Sequence, residues 1–336
     1  MTSIRERAAV KSNNVLKGKA GLRKEETGEY CQRGLCTVFS SDLSMIGGER
    51  TVIKIHLKIF WILTAVLGLG LTATPAPSQT PDEIINKFGD YYAIVIGINN
   101  YEKSNLRDLN YAEHDAREIS HILTEYYGFE VISLYGSEAT RRSILKTIRT
   151  HITALGENDN LLIFFGGHGL LDPDTDEGFW IPADATDEYD QEGWISFSRL
   201  RKLVEATNAD VKRVALITDS CYGGALTERS VMYGGLLSPE DDIHAYQKWL
   251  IKKAGDKSRL IIASGGFEQV PDQSEFSFVL RDILENNEFD MIDLYYLFNK
   301  ILKDSNYYDQ EQTPLIETVY PPKNGKAAQF VLLRRK

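Results

Sequence analysis

The chain is poor in cysteine, with 3 in 336 residues, and carries no internal repeat or low-complexity tract. So few cysteines exclude a disulfide scaffold. Hydrophobic residues at 43% and charged residues at 26% exclude collagen-like and disordered classes. No CxxC, HExxH or clustered His/Cys spacing points to zinc, so no metal ligands are assigned from these patterns. A P-loop, a GxGxxG after a strand and a GxSxG elbow are also missing, which removes the commonest nucleotide and serine-hydrolase signatures. A net charge of −10 makes nucleic acid an unsuitable partner. At roughly 150 residues per domain the length allows about two domains, and one α/β domain can fill it.

The charge is uneven along the chain. Residues 1–80 hold 11 Lys and Arg against 6 Asp and Glu, whereas the remainder holds 27 against 42, a net of −15. The only long uncharged apolar run, Ile59–Leu71, has 13 residues and follows Lys54 and Lys58. A bilayer of ~30 Å needs about 20 residues, so this run fits the core of a signal peptide better than a spanning helix. Cleavage is expected after Ala76-Pro77-Ser78, with an uncleaved membrane anchor as the alternative. The protein is therefore expected to be exported, periplasmic or secreted, or else membrane-associated through residues 59–71. Residues 1–50 are expected to be a non-native or disordered leader, with translation starting near Met45 or Val52. Residues 51–78 form the signal peptide or anchor, and 79–89 a linker. A chain beginning at Gln79 retains a single cysteine, Cys221.

From residue 90 onward, buried runs alternate with helical stripes. Tyr91–Ile98, Phe129–Leu134, Leu161–Phe165, Val214–Thr218 and Arg259–Ala263 read as strands, the continuous apolar ones as strands covered on both faces. Helical spacing runs through Leu109–Tyr126, Ile144–Leu155 (with Thr140 as N-cap), Leu200–Val204, Phe278–Leu284 and Met291–Leu302. Gln329–Leu333 reads as a closing edge strand. This alternation predicts an α/β fold with a mostly parallel central sheet of about six strands and helices on both faces. Ligands in such sheets bind beyond the carboxyl ends of the strands. Ala225–Lys257 is expected to be a long exposed loop with a short helical hint near Tyr246–Ile251.

Two chemistry-bearing turns fall at such strand ends. The strand Leu161–Phe165 stops at Gly166-Gly167-His168-Gly169, and Val214–Thr218 stops at Asp219-Ser220-Cys221. A lone cysteine is ordinarily a small core residue and a lone histidine a turn residue. A pair at neighbouring strand ends, each bracketed by glycine, instead suits a thiol nucleophile and an imidazole base. The Gly169 backbone N–H is a candidate oxyanion donor.

These residues resemble the caspase/metacaspase clan of cysteine peptidases, specifically its bacterial metacaspase-like members. The likeness begins with YYAIVIGINNY (Tyr91–Tyr101), LNYAEHDA (Leu109–Ala116), IFFGGHG (Ile163–Gly169) and FWIPADA (Phe179–Ala185). It continues through ITDSCYGG (Ile217–Gly224), IIASGGFEQV (Ile261–Val270), SEFSFVLRDIL (Ser274–Leu284) and QTP (Gln312–Pro314). The resemblance implies a caspase-like peptidase domain over 90–336, large-subunit-like to 230 and small-subunit-like from 258. It implies His168 and Cys221 as catalytic dyad, no required cofactor, and protein or peptide substrates. Asp115 and Asp219 match the acidic pair that selects Arg or Lys at P1, the substrate residue preceding the cleaved bond. With such a pocket, Arg229, Lys248, Lys252 and Lys253 are the natural self-cleavage sites. The chain departs from the clan in reading DSCYG where caspases have QAC[RQG]G. Tyr222 stands where metacaspases often have histidine. The acidic stretch Asp172 to Asp190 resembles in position the calcium-binding segment of some metacaspases. A solvated acidic loop is the preferred reading there, so calcium is not assigned.

Overall fold

Continuous apolar runs become strands buried on both faces. The computed structural model describes residues 86–102, 104–186, 191–205, 211–227, 237–266, 269–304, 313–319 and 329–335. The leader, the apolar run Ile59–Leu71 and most of the linker lie outside the described residues. Among the described residues no helix is long and apolar enough to cross a membrane.

In chain order the elements are β1 (Tyr91–Gly97), α1 (Ala112–Tyr127), β2 (Glu130–Tyr135), α2 (Arg141–Ala154) and β3 (Asn160–Gly166). Then come β4 (Gly169–Leu171), β5 (Gly178–Trp180), β6 (Ile195–Ser196), α3 (Phe197–Glu205) and β7 (Arg213–Asp219). The last are α4 (Ile243–Lys253), β8 (Ser258–Ala263), α5 (Glu275–Asn286), β9 (Met291–Asp293), α6 (Leu294–Lys303), β10 (Leu315–Thr318) and β11 (Val331–Leu333). Thr140 caps α2 as expected, its side chain accepting from the Ser143 N–H.

Six strands form one sheet in the order β10-β8-β7-β3-β1-β2, with only β10 antiparallel to its neighbour. Side chains alternate across it. Ala93, Val95, Leu162, Phe164, Ala215 and Ile217 face a core shared with α1, α4, α5 and α6. Ile94, Ile96, Leu161, Ile163, Val214 and Leu216 face a second core with α2 and α3. The result is the three-layer α/β architecture that the alternating sequence pattern implies.

Three elements differ from the sequence reading. The stripe Met291–Leu302 is not one helix: Met291–Asp293 pairs antiparallel with Val331–Leu333 as a separate ribbon. Asp293 then caps α6 by accepting the Tyr296 N–H at 2.7 Å, so the helix starts only at Leu294. Gln329–Leu333 accordingly does not close the main sheet. That edge is β10, whose buried Glu317 takes a two-pronged ion pair from Arg201 at 2.8 and 3.0 Å. Finally, the short helical hint within Ala225–Lys257 is a helix of 11 residues, α4. Asp242 caps α4 by accepting the Ala245 N–H at 3.0 Å, and Tyr246 and Leu250 bury its inner face. Lys248 and Lys252 stand exposed on that helix, and Lys253 is buried with an ion pair to Asp256. A helical bond does not fit an extended-chain cleft, and Arg229 lies outside the described residues.

The amino ends of β1, β3 and β7 are tied by a buried cation. Arg213 is fully buried. Its guanidinium donates to Asn160 Oδ1 at 2.5 Å, to the Phe88 carbonyl at 2.9 Å, and to the carbonyls of Ala254 and Asn158. Replacing it removes a donor from four acceptors, of which the Phe88 carbonyl keeps Asn160 Nδ2. Burying the other three unpaired carries a penalty of several kcal/mol when unrepaired. Arg213→Met is expected to lose about 3 kcal/mol of stability in a urea titration. An unchanged midpoint would show that the acceptors find other donors.

Candidate active site

Register decides which residues meet. Residues Asn160–Gly166 of β3 pair in parallel with Arg213–Asp219 of β7, ending with Gly166 opposite Asp219. The Gly167 N–H extends the ladder to the Asp219 carbonyl at 3.3 Å. His168 and Cys221 each lie two residues beyond that last pair. Both line a cleft of about 310 Å³ at the carboxyl rim of the sheet, together with Gly169, Asp115 and Asp219. All five residues singled out from the sequence are thus brought to one site.

The turn carrying Cys221 is held from behind. Trp180 of β5 stacks on Phe165 of β3 with ring centroids 4.2 Å apart. Its indole N–H donates to Thr218 Oγ1 at 2.9 Å, and that hydroxyl meets Ser220 Oγ at 2.9 Å. Tyr222 then adopts φ +59°, a left-handed backbone uncommon for a bulky side chain and a local strain in the Cys221 turn. Across the cleft, a Cβ at Gly169 would fall inside the Cys221 carbonyl group, so only glycine permits this approach.

His168 is placed by two groups from the loop after β1. Its backbone N–H donates to the buried Tyr101 hydroxyl at 2.8 Å, and the two rings pack with centroids 4.7 Å apart. The ring Nε2 lies 2.6 Å from the Arg107 carbonyl oxygen. A carbonyl can only accept, so Nε2 carries the proton and Nδ1 keeps its lone pair for a base. That loop is tied down in turn. Asp272 accepts from the Asn110 N–H at 2.9 Å and from Asn110 Nδ2 at 2.6 Å. Neither Tyr101 nor the Arg107 carbonyl was singled out as a functional group from the sequence. A backbone carbonyl leaves no residue-type signal, and Tyr101 reads as the end of an apolar motif.

Cys221 is half-buried under the strand-to-helix segment Gln269–Asp272. Its sulfur accepts the Val270 N–H at 3.2 Å, and the thiol is 3.7 Å from the Val270 carbonyl. Burial raises the thiol pKa above the ordinary value, and the Asp219 charge adds to this. Backbone N–H groups of Val270, Cys221 and Gly169 oppose the rise. Burial likewise lowers the His168 pKa, against the Arg107 hydrogen bond. The resting pair at neutral pH is therefore thiol and neutral imidazole, not thiolate and imidazolium.

The two carboxylates are unequal. Asp219 is buried and its pKa is raised by desolvation, against nearby serine hydroxyls at 264, 274 and 277. Ser277 donates to its Oδ2, while Oδ1 has no hydrogen-bond partner of good geometry among the described residues. Asp115, also buried, is already ion-paired, with Arg281 Nη2 at 3.2 Å from Oδ1. The acidic stretch turns on itself, Asp172 accepting from the Asp174 N–H at 2.9 Å and from Gln191 at 3.0 Å.

Fold and rim together define a parallel α/β domain presenting a thiol and an imidazole at adjacent strand ends. The caspase domain family model matches residues 90–320, and the chain belongs to that family. A solved Geobacter sulfurreducens protein aligns with TM-score 0.50 at 21% identity, covering 70% of this chain and 96% of that one. Caspase-1 from Spodoptera frugiperda aligns with TM-score 0.45 at 16% identity, covering 69% of this chain and 87% of that one. No curated protein sequence matches the chain.

A buried thiol of raised pKa gives a specific pH signature. Alkylation of Cys221 by iodoacetamide, followed by mass spectrometry, is expected to keep accelerating through about pH 9. A rate already level between about pH 6 and 8 would instead reveal a preformed thiolate.

Proposed function

We propose that the protein is a cysteine endopeptidase that cuts after Arg or Lys, with Cys221 as nucleophile and His168 as its base. The observation that carries this reading is the β3–β7 register, which delivers both residues to one cleft. In the reaction, Nδ1 of His168 takes the thiol proton as Sγ attacks the scissile carbonyl carbon. The oxyanion is stabilised by the backbone N–H groups of Gly169 and Cys221, two residues whose backbones approach closely. The imidazolium then protonates the leaving amine, giving a thioester. Water, deprotonated by the same imidazole, hydrolyses the thioester and restores the thiol.

The P1 preference rests on charge. Asp219 lies two residues before the nucleophile; Ser277 holds its Oδ2, and Oδ1 has no hydrogen-bond partner of good geometry among the described residues. A guanidinium can fork onto a carboxylate, which favours Arg over Lys. A P1 Asp would meet like charge in a desolvated wall, a penalty of several kcal/mol.

The rival reading is a caspase-like binding module without turnover. Cys221→Ala is expected to lose at least ~10³ in kcat, because nucleophile and base act as a unit. Wild-type activity retained in that variant would overturn the mechanism. Paired fluorogenic peptides differing only at P1 test the specificity. Arg is expected to be cleaved fastest and Asp not at all, and Asp219→Ala is expected to erase the preference. Wild-type protein that binds both peptides and cleaves neither would favour the module.

A further inference from the structure

Asp115 does not face the cleft alone. Helix α5 addresses both cleft carboxylates from one face, through residues four apart. Ser277 donates to Asp219 Oδ2, and Arg281, one turn later, ion-pairs with Asp115 Oδ1 at 3.2 Å. Arg281 itself is anchored. Its Nε donates to the Ser277 carbonyl at 3.2 Å, and its guanidinium sits 6.0 Å from the Phe278 ring centroid. Arg281 does not line the cleft, whereas Asp115 and Asp219 do.

We propose that Arg281 is a specificity-setting positioning residue, holding the Asp115 carboxylate ionised and aligned beside Asp219 so that a cationic P1 side chain meets two charges instead of one. This rests on the basic-P1 reading above and adds a residue outside the cleft to it. Two desolvated carboxylates in one wall repel, and without a cation one of them takes up a proton. The charged groups facing Asp115 are few. Asp219 from the end of β7 and Asp272 from the segment before α5 disfavour its ionisation, while His114 on its own helix favours it. Arg281 is the largest opposing influence to burial, which lifts the Asp115 pKa to about 6. An Arg beside a carboxylate holds its pKa down by about 1 to 3 units. Removing Arg281 is therefore expected to carry Asp115 through neutrality, leaving it protonated at pH 7.

The test compares wild type, Arg281→Gln and Arg281→Lys on matched Arg-P1 and Leu-P1 fluorogenic peptides across pH. In the Gln variant the acid limb of kcat/KM for the Arg peptide is expected to move up by about 1 to 3 pH units. At pH 7 the loss, about tenfold or more, should fall in KM with kcat little changed. The Leu peptide should be unaffected, and Lys, which keeps the cation, should retain the wild-type limb. In parallel, carboxyl ¹³C NMR follows the titration of Asp115, assigned with Asp115→Asn. An Asp115 midpoint unchanged in folded Arg281→Gln, or equal losses on both peptides, overturns the proposal. If the Gln variant does not fold, the Lys variant decides, since loss of the Arg preference there also overturns it. Failure of the underlying reading is seen separately, in a wild type that does not prefer Arg to Leu, and it removes the specificity role of Arg281 with it.

Discussion

The pairing of Gly166 with Asp219 is the constraint on which the site depends. Parallel strands have no hairpin to fix their stagger, so burial of both faces must do it. In β3 and β7 every residue is buried. A slip of β3 by one residue would turn Leu161, Ile163 and Phe165 into the opposite core and displace His168 by ~3.3 Å along the rim. The two helix layers differ in the side chains they accept, so the register is held by the whole sandwich. The geometry of the candidate site is inherited from hydrophobic packing.

The same rim draws the wall of the cleft close. A Cβ on Gly97, at the end of β1, would strike Ala116 and the backbone of Glu113. Its absence lets α1 lie directly on the strand ends, which puts Asp115 in the cleft lining. Opposite it, α5 packs against α1 and supplies both Ser277 and Arg281. Asp272, just before α5, fixes the loop whose Arg107 carbonyl holds His168. The segment from Gln269 to Arg281 thus touches thiol, imidazole support and both carboxylates, although it carries neither nucleophile nor base.

Much of this was legible from residue order, and the illegible part has one physical cause. Runs such as Leu161–Phe165 declare themselves because burial on both faces leaves no polar positions. His168 and Cys221 were found because strand ends in a parallel sheet are where function collects. Strands β4, β5, β6 and β9, of two or three residues, carry too little pattern to be read alone. They exist because a partner strand is supplied by the fold. β10 was hidden by Glu317, a charged residue made buriable by its ion pair with Arg201 on a distant helix. Arg281 was visible only inside a helical stripe, since nothing local says that its guanidinium ends at Asp115. Pairings between distant elements are set by topology, and the local pattern is blind to them.

The cleft also links recognition to reactivity through a shared charge. Burial, then the Asp219 carboxylate, raises the Cys221 thiol pKa. On the basic-P1 reading, a substrate cation docking at Asp219 cancels part of that field at the moment the thiol must ionise. By linkage, whatever binds more tightly to the thiolate form lowers the thiol pKa by the same free energy. A neutral P1 side chain burying Asp219 would do the reverse, desolvating an uncompensated charge next to the nucleophile. Charge selectivity would then reside in the transition state as well as in binding, because the interaction strengthens as negative charge develops on sulfur. On that reading the resting site, with neutral thiol and neutral imidazole, would be quiet toward other acyl groups for the same electrostatic reason that it would accept a cationic substrate.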